Sequence, residues 1–235
     1  MSSVKYTFTG VVKDGLKQIK RLSDGEVGGY IEKEKNLSQS GNAWVSGDAR
    51  VLGDAQVSGN AWVLGDAKVS GDALVSGNAW VSGDAQVSGD ARVSGDAQVL
   101  GNAQVSGDAR VSGDAKVSGD ALVSGNAWVS GDAQVSGDAR VSGDAQVYGN
   151  ARVSGDAQVL GNAQVSNSRQ IVVWQGIPHS VTITPQNVVI GCQVRPRFGN
   201  GQWNSKDVYA TPELIAQYKP ILKLLKSQVK RVKTP

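Results

Sequence analysis

The sequence predicts an all-β solenoid, and three observations carry that prediction. Twenty consecutive hexapeptides run from Val45 to Gln164 without an insertion, all of the form Val-(Ser/Leu/Tyr)-Gly-(Asp/Asn)-Ala-X. The Val and the Ala recur in fixed phase as the apolar pair of every hexad, and Gly holds the third place throughout. A period this strict marks small strand-and-turn units, each able to bury its apolar residues only by stacking on its neighbours.

Each place in the hexad has a physical role. Side chains alternate along a strand, so the Val and the Ala two residues before the next Val point inward, and the X residue between them points outward. Gly accepts the positive φ that a sharp corner demands. Asp or Asn at the fourth place suits the same corner, because its short side chain bonds to nearby backbone and tolerates left-handed geometry.

Composition agrees with an ordered repeat. The apolar fraction of 40% is slightly low for a globular chain of 235 residues, and Gly, Ser and Asp make up the difference. Scattered, those residues would signal disorder; in fixed phase with a buried-type Val they do not. One cysteine, Cys192, excludes an internal disulfide framework and suits a reducing compartment. Residues 1–25 have no long apolar run after their lysines, and no stretch is apolar for long enough to span a bilayer. A cytoplasmic protein without membrane insertion is therefore expected. The net charge of +3 conceals a segregation: residues 45–164 hold 14 Asp against 7 Lys or Arg, a balance of −7, and the flanks carry +10. An acidic shaft disfavours nucleic acid along its length, while the basic tail is free to meet an acidic partner.

The hexad resembles the motif of the hexapeptide-repeat family, the trimeric LpxA-like left-handed β-helices, with an aliphatic first residue and a small fifth one. Val69-Ser70-Gly71-Asp72-Ala73-Leu74 matches both places, as do the other nineteen hexads. The resemblance implies a left-handed parallel β-helix of triangular 18-residue coils, three hexads to a coil, and a homotrimer. With the partial hexad Gln39 to Trp44 added, 21 hexads would make seven coils. A second resemblance covers Gly28-Gly29-Tyr30-Ile31-Glu32, Asn36-Leu37-Ser38, Gly41-Asn42-Ala43-Trp44-Val45 and, at the exit, Ile190-Gly191-Cys192-Gln193. These look like uncharacterised hexapeptide-repeat proteins of phage and prophage genomes. That implies a bacterial-host setting, leaves virion association open, and brings no chemistry with it.

Four segments follow. Residues 1–38 form an N-terminal β cap, with an alternating strand at Lys5-Tyr6-Thr7-Phe8-Thr9 and a turn at Gly28-Gly29, which covers an exposed sheet edge. Residues 39–164 form the β-helix. Residues 165–194 form degenerate coils or cap strands: Ile171, Ile177, Ile183 and Val189 keep the six-residue step, whereas Pro178 and Pro185 interrupt it. Residues 195–235 form a basic loop and a C-terminal α-helical cap. Thr211-Pro212-Glu213 is a helix start, with a capping hydroxyl and Pro in the first turn. Beyond Pro220, Ile221, Leu224, Leu225 and Val229 alternate with Lys223, Lys226 and Lys230 as an oligomer helix or a cap on the chain's own solenoid. Contact with a membrane surface or nucleic acid is the alternative.

If residues eighteen apart stack, Trp44, Trp62 and Trp80 form one outward ladder, and Trp128 falls on another face. Stacked rings stiffen a coil by about 0.5–1.5 kcal/mol per pair. Three outward tryptophans are read here as an interaction surface for a partner subunit, a host protein or a ligand. Asn42, Asn60 and Asn78 stand beside them where most hexads have Asp, leaving that face uncharged as a buried contact requires. Asp54, Asp72, Asp90 and Asp108 share one column about 4.8 Å apart. Such a column is expected to raise carboxylate pKa values or attract cations, and to oppose sideways association. Residues 69–99 are identical to 117–147, a block moved by 48 residues or eight hexads. Eight is not a multiple of three, so the copy turns onto different faces and is not expected to preserve a face-specific site.

Catalytic residues are sparse. Enzymes of the resembling fold are usually acyltransferases with a histidine base or carbonic anhydrases with three zinc-bound histidines. This chain has His179 alone, which excludes the zinc site by count. Cys192 lies in an apolar run and reads as core. No cofactor or metal is expected. Arg195, Arg197, Trp203 and Lys206 form a basic, aromatic segment suited to a phosphate or nucleotide. The expected function is a non-enzymatic scaffold or binding module acting through oligomer and partner surfaces. The alternatives are an anti-defence protein that sequesters a nucleotide signal between subunits through that segment, and a diverged acyltransferase using His179.

Overall fold

In the computed structural model, which describes residues 4–168, 172–174, 181–184, 187–190 and 193–196, the hexads wind into a parallel β-solenoid. Each contributes a two-residue strand made of X and the following Val, as in Trp62–Val63, Lys68–Val69 and Leu74–Val75. Every third strand pairs in parallel: Trp80 and Val81 lie between Trp62 and Val63 on one side and Gln98 and Val99 on the other. The coil is therefore eighteen residues long and three-sided. The hexad Val and Ala residues are fully buried at every layer, and among the described residues they make up most of the core.

The longest face stacks eight parallel strands, from Val27–Ile31 to Gln158–Val159. That is about one coil more than the hexads predict. The extra layer belongs to the cap: Tyr30 and Ile31 pair with Arg50 and Val51, and Leu37 bridges Val57. These partners are twenty residues apart, so two residues beyond the strict period lie between Leu37 and Val45. They hide a genuine coil from a six-residue reading.

The coils are joined by one directional ladder. The amide of each X residue donates to the Ala carbonyl of the next coil, as Trp62 N does to Ala79 O at 2.9 Å, and the residue after each Val donates likewise, as Leu64 N does to Val81 O at 2.9 Å. Donors thus point toward the C-terminal end and acceptors toward the N-terminal end. At both ends of the stack the ladder itself has no further coil to pair with, so the end groups take their hydrogen bonds from elsewhere.

The N-terminal cap supplies donors. Strand β1 (Tyr6–Lys13) and strand β2 (Leu16–Arg21) form a hairpin around Asp14 and Gly15, at φ 54° and 80°, and β2 pairs antiparallel with strand β3 (Val27–Ile31). From β3, Tyr30 N donates to Ala49 O, and just beyond it Glu32 N donates to Val51 O. On the next face Ser38 N reaches Val57 O, while the buried Asn36 amide donates to Gly53 O and Ala55 O. On the third, Lys5 Nζ donates to Ala43 O at 2.8 Å. Each face is closed by a different device.

Gly28 and Gly29 are strand residues of β3 and not the turn that the sequence suggests. What they supply is closeness: a Cβ at Gly28 would sit 2.6 Å from Val45 O and 2.8 Å from the Trp44 ring, and one at Gly29 would sit 2.6 Å from Ala49 O. At the other end, strands Val172–Trp174, Val181–Ile183, Asn187–Ile190 and Gln193–Pro196 form an antiparallel sheet. Ile183 and Val189 therefore sit in cap strands and not in further coils. This cap supplies an acceptor, since Thr182 Oγ1 takes the hydrogen bond of Gln158 N at 2.8 Å.

Corner glycines carry two constraints at once. Gly77 has φ 70°, and a Cβ there would meet Gly95 N at 2.8 Å. Gly77→Ala should therefore lose the roughly 1–2 kcal/mol of the left-handed penalty and force the two coils apart as well. Gln86→Ala, at an exposed X position, should stay within about 0.5 kcal/mol of wild type. Thermal melts followed by circular dichroism check both.

Candidate interaction surface

The tryptophan ladder exists, and its burial is graded. Trp44, Trp62 and Trp80 are direct register partners in successive coils. Trp62 and Trp80 stack with ring centroids 6.3 Å apart and planes 23° apart. Trp80 is 45% exposed, Trp62 is half-buried against the core, and Trp44 is fully buried. Trp44 is thus not a surface residue, although the sequence places it on the outer face.

The cap encloses Trp44. The Arg21 guanidinium lies 4.8 Å over its ring, and Trp44 Nε1 donates to Glu26 Oε1 at 3.0 Å. Arg21 in turn pairs with Glu26, and its Nε with Asp24 at 3.0 Å. The space comes from Gly28, whose missing side chain leaves room for the ring. Further out, Lys13 meets Asp48 at 3.0 Å and Asp14 meets Arg50 at 2.9 Å, fastening the hairpin to the first coil.

The asparagines beside the ladder do more than remove charge. Asn42 Nδ2 donates to Asn60 Oδ1 at 3.1 Å, Asn60 Nδ2 to Asn78 Oδ1 at 3.0 Å, and Asn78 Nδ2 to Asp96 Oδ1 at 2.8 Å. An amide both donates and accepts, whereas a carboxylate only accepts, so the chain of bonds runs through Asn and ends at the first Asp. The sequence reading missed this ladder, and the signal for it was Asn recurring at eighteen-residue steps.

The aspartate column also differs from expectation. Asp54, at its head, is held below the usual carboxylate range by hydrogen bonds from Lys35 and Lys33 and by their charges, the reverse of a raised pKa. Farther along, Asp72, Asp90 and Asp108 line an open groove of about 420 Å³ together with Arg92 and Arg110. Two arginines of the neighbouring column thus stand beside these three aspartates. Among the described residues no group of three or more His, Cys, Asp or Glu is placed to hold a metal ion.

On the same face, Trp128 stands in register between Arg110 and Gln146. With Ser130, Gln146 and Tyr148 it lines a small groove of about 190 Å³. Its Nε1 donates to Ser112 Oγ at 3.2 Å.

Arg195 falls at a strand position paired with Val188. Arg197, Trp203, Lys206 and the helix positions Ile221, Leu224, Leu225 and Val229 lie outside the described residues, as do His179 and Cys192. Among the described residues no helix is long and apolar enough to cross a membrane.

The three-sided stack, the eighteen-residue register and the buried Val–Ala core make this chain a β-solenoid repeat protein. Segments 67–83, 85–101, 103–117, 115–131, 133–147 and 145–161 match the family model described as YdcK Beta solenoid repeat. All of them lie within the shaft, and the first three begin one coil apart. No curated protein matches the chain.

Two outcomes follow from the cap. Trp44→Ala should destabilise by about 3–5 kcal/mol, as for other buried aromatic residues, while Trp80→Ala should lose less than about 1 kcal/mol; chemical unfolding separates the two. Burial, and then the nearby Arg21 charge, lowers Lys5 from 10.5 to about 8. Between those values the unfolded chain binds more protons than the folded one, so this group makes stability rise with pH from about 8 to 10.5. Lys5→Met should flatten that rise, read as the difference in melting temperature between the two proteins across the same window.

Proposed function

We propose that this chain is a non-enzymatic, rigid β-helical scaffold or binding module that acts through an oligomer and through partner contacts. The observation that carries the reading is the Trp62–Trp80 stack, whose outer ring is 45% exposed beside a hydrogen-bonded asparagine column free of charge as far as Asp96. A flat aromatic strip bordered by satisfied amides can be covered by a partner without stranding an ion. The shaft behind it consists of nearly identical layers, so it holds such a strip at fixed orientation and distance from both caps. The hexad resemblance supports the finer form of this reading: a left-handed, LpxA-like homotrimer of phage type.

Sedimentation tests the oligomer. A species of about three times the 24.5 kDa chain mass is expected at micromolar concentration, and Trp80→Gln should weaken it about tenfold or more. A 24.5 kDa monomer for both proteins would remove the oligomer from the proposal.

A further inference from the structure

The groove at Trp128 goes beyond the scaffold reading, and none of the residues that carry that reading lines it. We propose that Trp128, Ser130, Gln146 and Tyr148 form a binding subsite for the ring of a neutral pyranose sugar.

Trp128 supplies the platform. It is 45% exposed, and its one polar atom is already bonded to Ser112 Oγ, so the indole is held in place and offers carbon surface. Around it stand an amide and two hydroxyls, from Gln146, Ser130 and Tyr148. Their side chains make no hydrogen bond among the described residues, which leaves them free to meet a ligand. Among the described residues no carboxylate, ammonium or guanidinium lines the groove; Arg110 adjoins Trp128 on the side opposite Gln146. A pyranose ring has a matching form, with an apolar C–H face for the indole and a rim of neutral hydroxyls for the amide and hydroxyl groups. The groove volume of about 190 Å³ accommodates one ring. Anionic ligands are opposed by the aspartates of the shaft.

The duplicated block points to the same cluster. Trp80, Ser82 and Gln98 stand 48 residues before Trp128, Ser130 and Gln146, and all six lie within the identical segments 69–99 and 117–147. Trp80 pairs with Gln98 just as Trp128 pairs with Gln146, and the two tryptophans are equally exposed at 45%. The cluster spans only two adjacent coils. It therefore survives a move of eight hexads even though the block turns onto another face; what such a move loses is a site that belongs to one particular face. The copies differ at the second wall: Leu100 stands where Tyr148 does, and Trp62 occupies the place of Arg110. Tyr148 completes the groove at Trp128.

The test is saturation-transfer NMR on the full chain with maltotriose, cellotriose and tri-N-acetylchitotriose as probes and a decaproline peptide as a control. Transfer to the ring C–H protons of at least one sugar is expected. Its affinity should fall about tenfold in Tyr148→Leu and vanish in Trp128→Ala, with no change in Gln86→Ala. Tyr148→Leu recreates a residue that the chain already uses at the equivalent place, so loss of folding would not explain the fall. The proposal is overturned if none of the three sugars receives transfer, if both groove variants bind as wild type does, or if decaproline alone binds in a Trp128-dependent way.

Discussion

The rest of the molecule depends on the direction of the coil-to-coil hydrogen bonds. Every layer donates toward the C-terminal end and accepts from the N-terminal side, so the shaft ends in a row of carbonyls on one side and a row of amides on the other, and each row takes its partners from outside the ladder. The two caps are chemically different because the two ends are. The first offers backbone N–H groups, the Asn36 amide and the Lys5 ammonium; the second offers a threonine hydroxyl. Lys5 is the most demanding of these solutions. An ammonium pressed against a buried carbonyl gives up water, and its pKa falls to about 8 in consequence.

The same ladder fixes the register at eighteen residues and so turns a linear period into columns. Once Trp62 must face Trp80 and Asn60 must face Asn78, side chains that are unrelated in sequence become nearest neighbours along the shaft. What a column does then depends on whether its members can bond to one another. Asparagine propagates, tryptophan stacks, and aspartate needs cations from elsewhere. Lys33 and Lys35 supply them for Asp54, and Arg92 and Arg110 stand beside Asp72, Asp90 and Asp108.

Much of the fold was legible because each hexad position has one dominant reason for its residue. Val and Ala fill a narrow interior, and Gly77 and its equivalents combine positive φ with a neighbour too near for a Cβ. The reading failed where two parts of the chain meet. The coil through Ile31 and Leu37 was hidden by two extra residues before Val45, since a strict period cannot register an offset. Trp44 looked like an outer residue because its position in the hexad is an outer one; its burial depends on Arg21, Glu26 and Gly28, which lie in a segment without periodicity. The Trp128 groove was missed for a related reason. Tyr148 occupies a corner place that is usually Ser, and its proximity to Trp128 becomes apparent only once adjacent coils are laid side by side.

Duplication in a solenoid follows a rule that the face geometry alone obscures. Moving a block by a number of hexads not divisible by three destroys any site assembled from one face over many coils. A site made from two neighbouring coils has only local partners, at separations of two and eighteen residues, and the block carries these along intact. Trp80 with Ser82 and Gln98, and Trp128 with Ser130 and Gln146, are such a pair. The long Trp44–Trp62–Trp80 ladder is not copied, because two of its members lie outside the block. Growth by block duplication thus lengthens the rod and multiplies short-range clusters around its axis, while an extended strip stays single at the end where the N-terminal cap holds it.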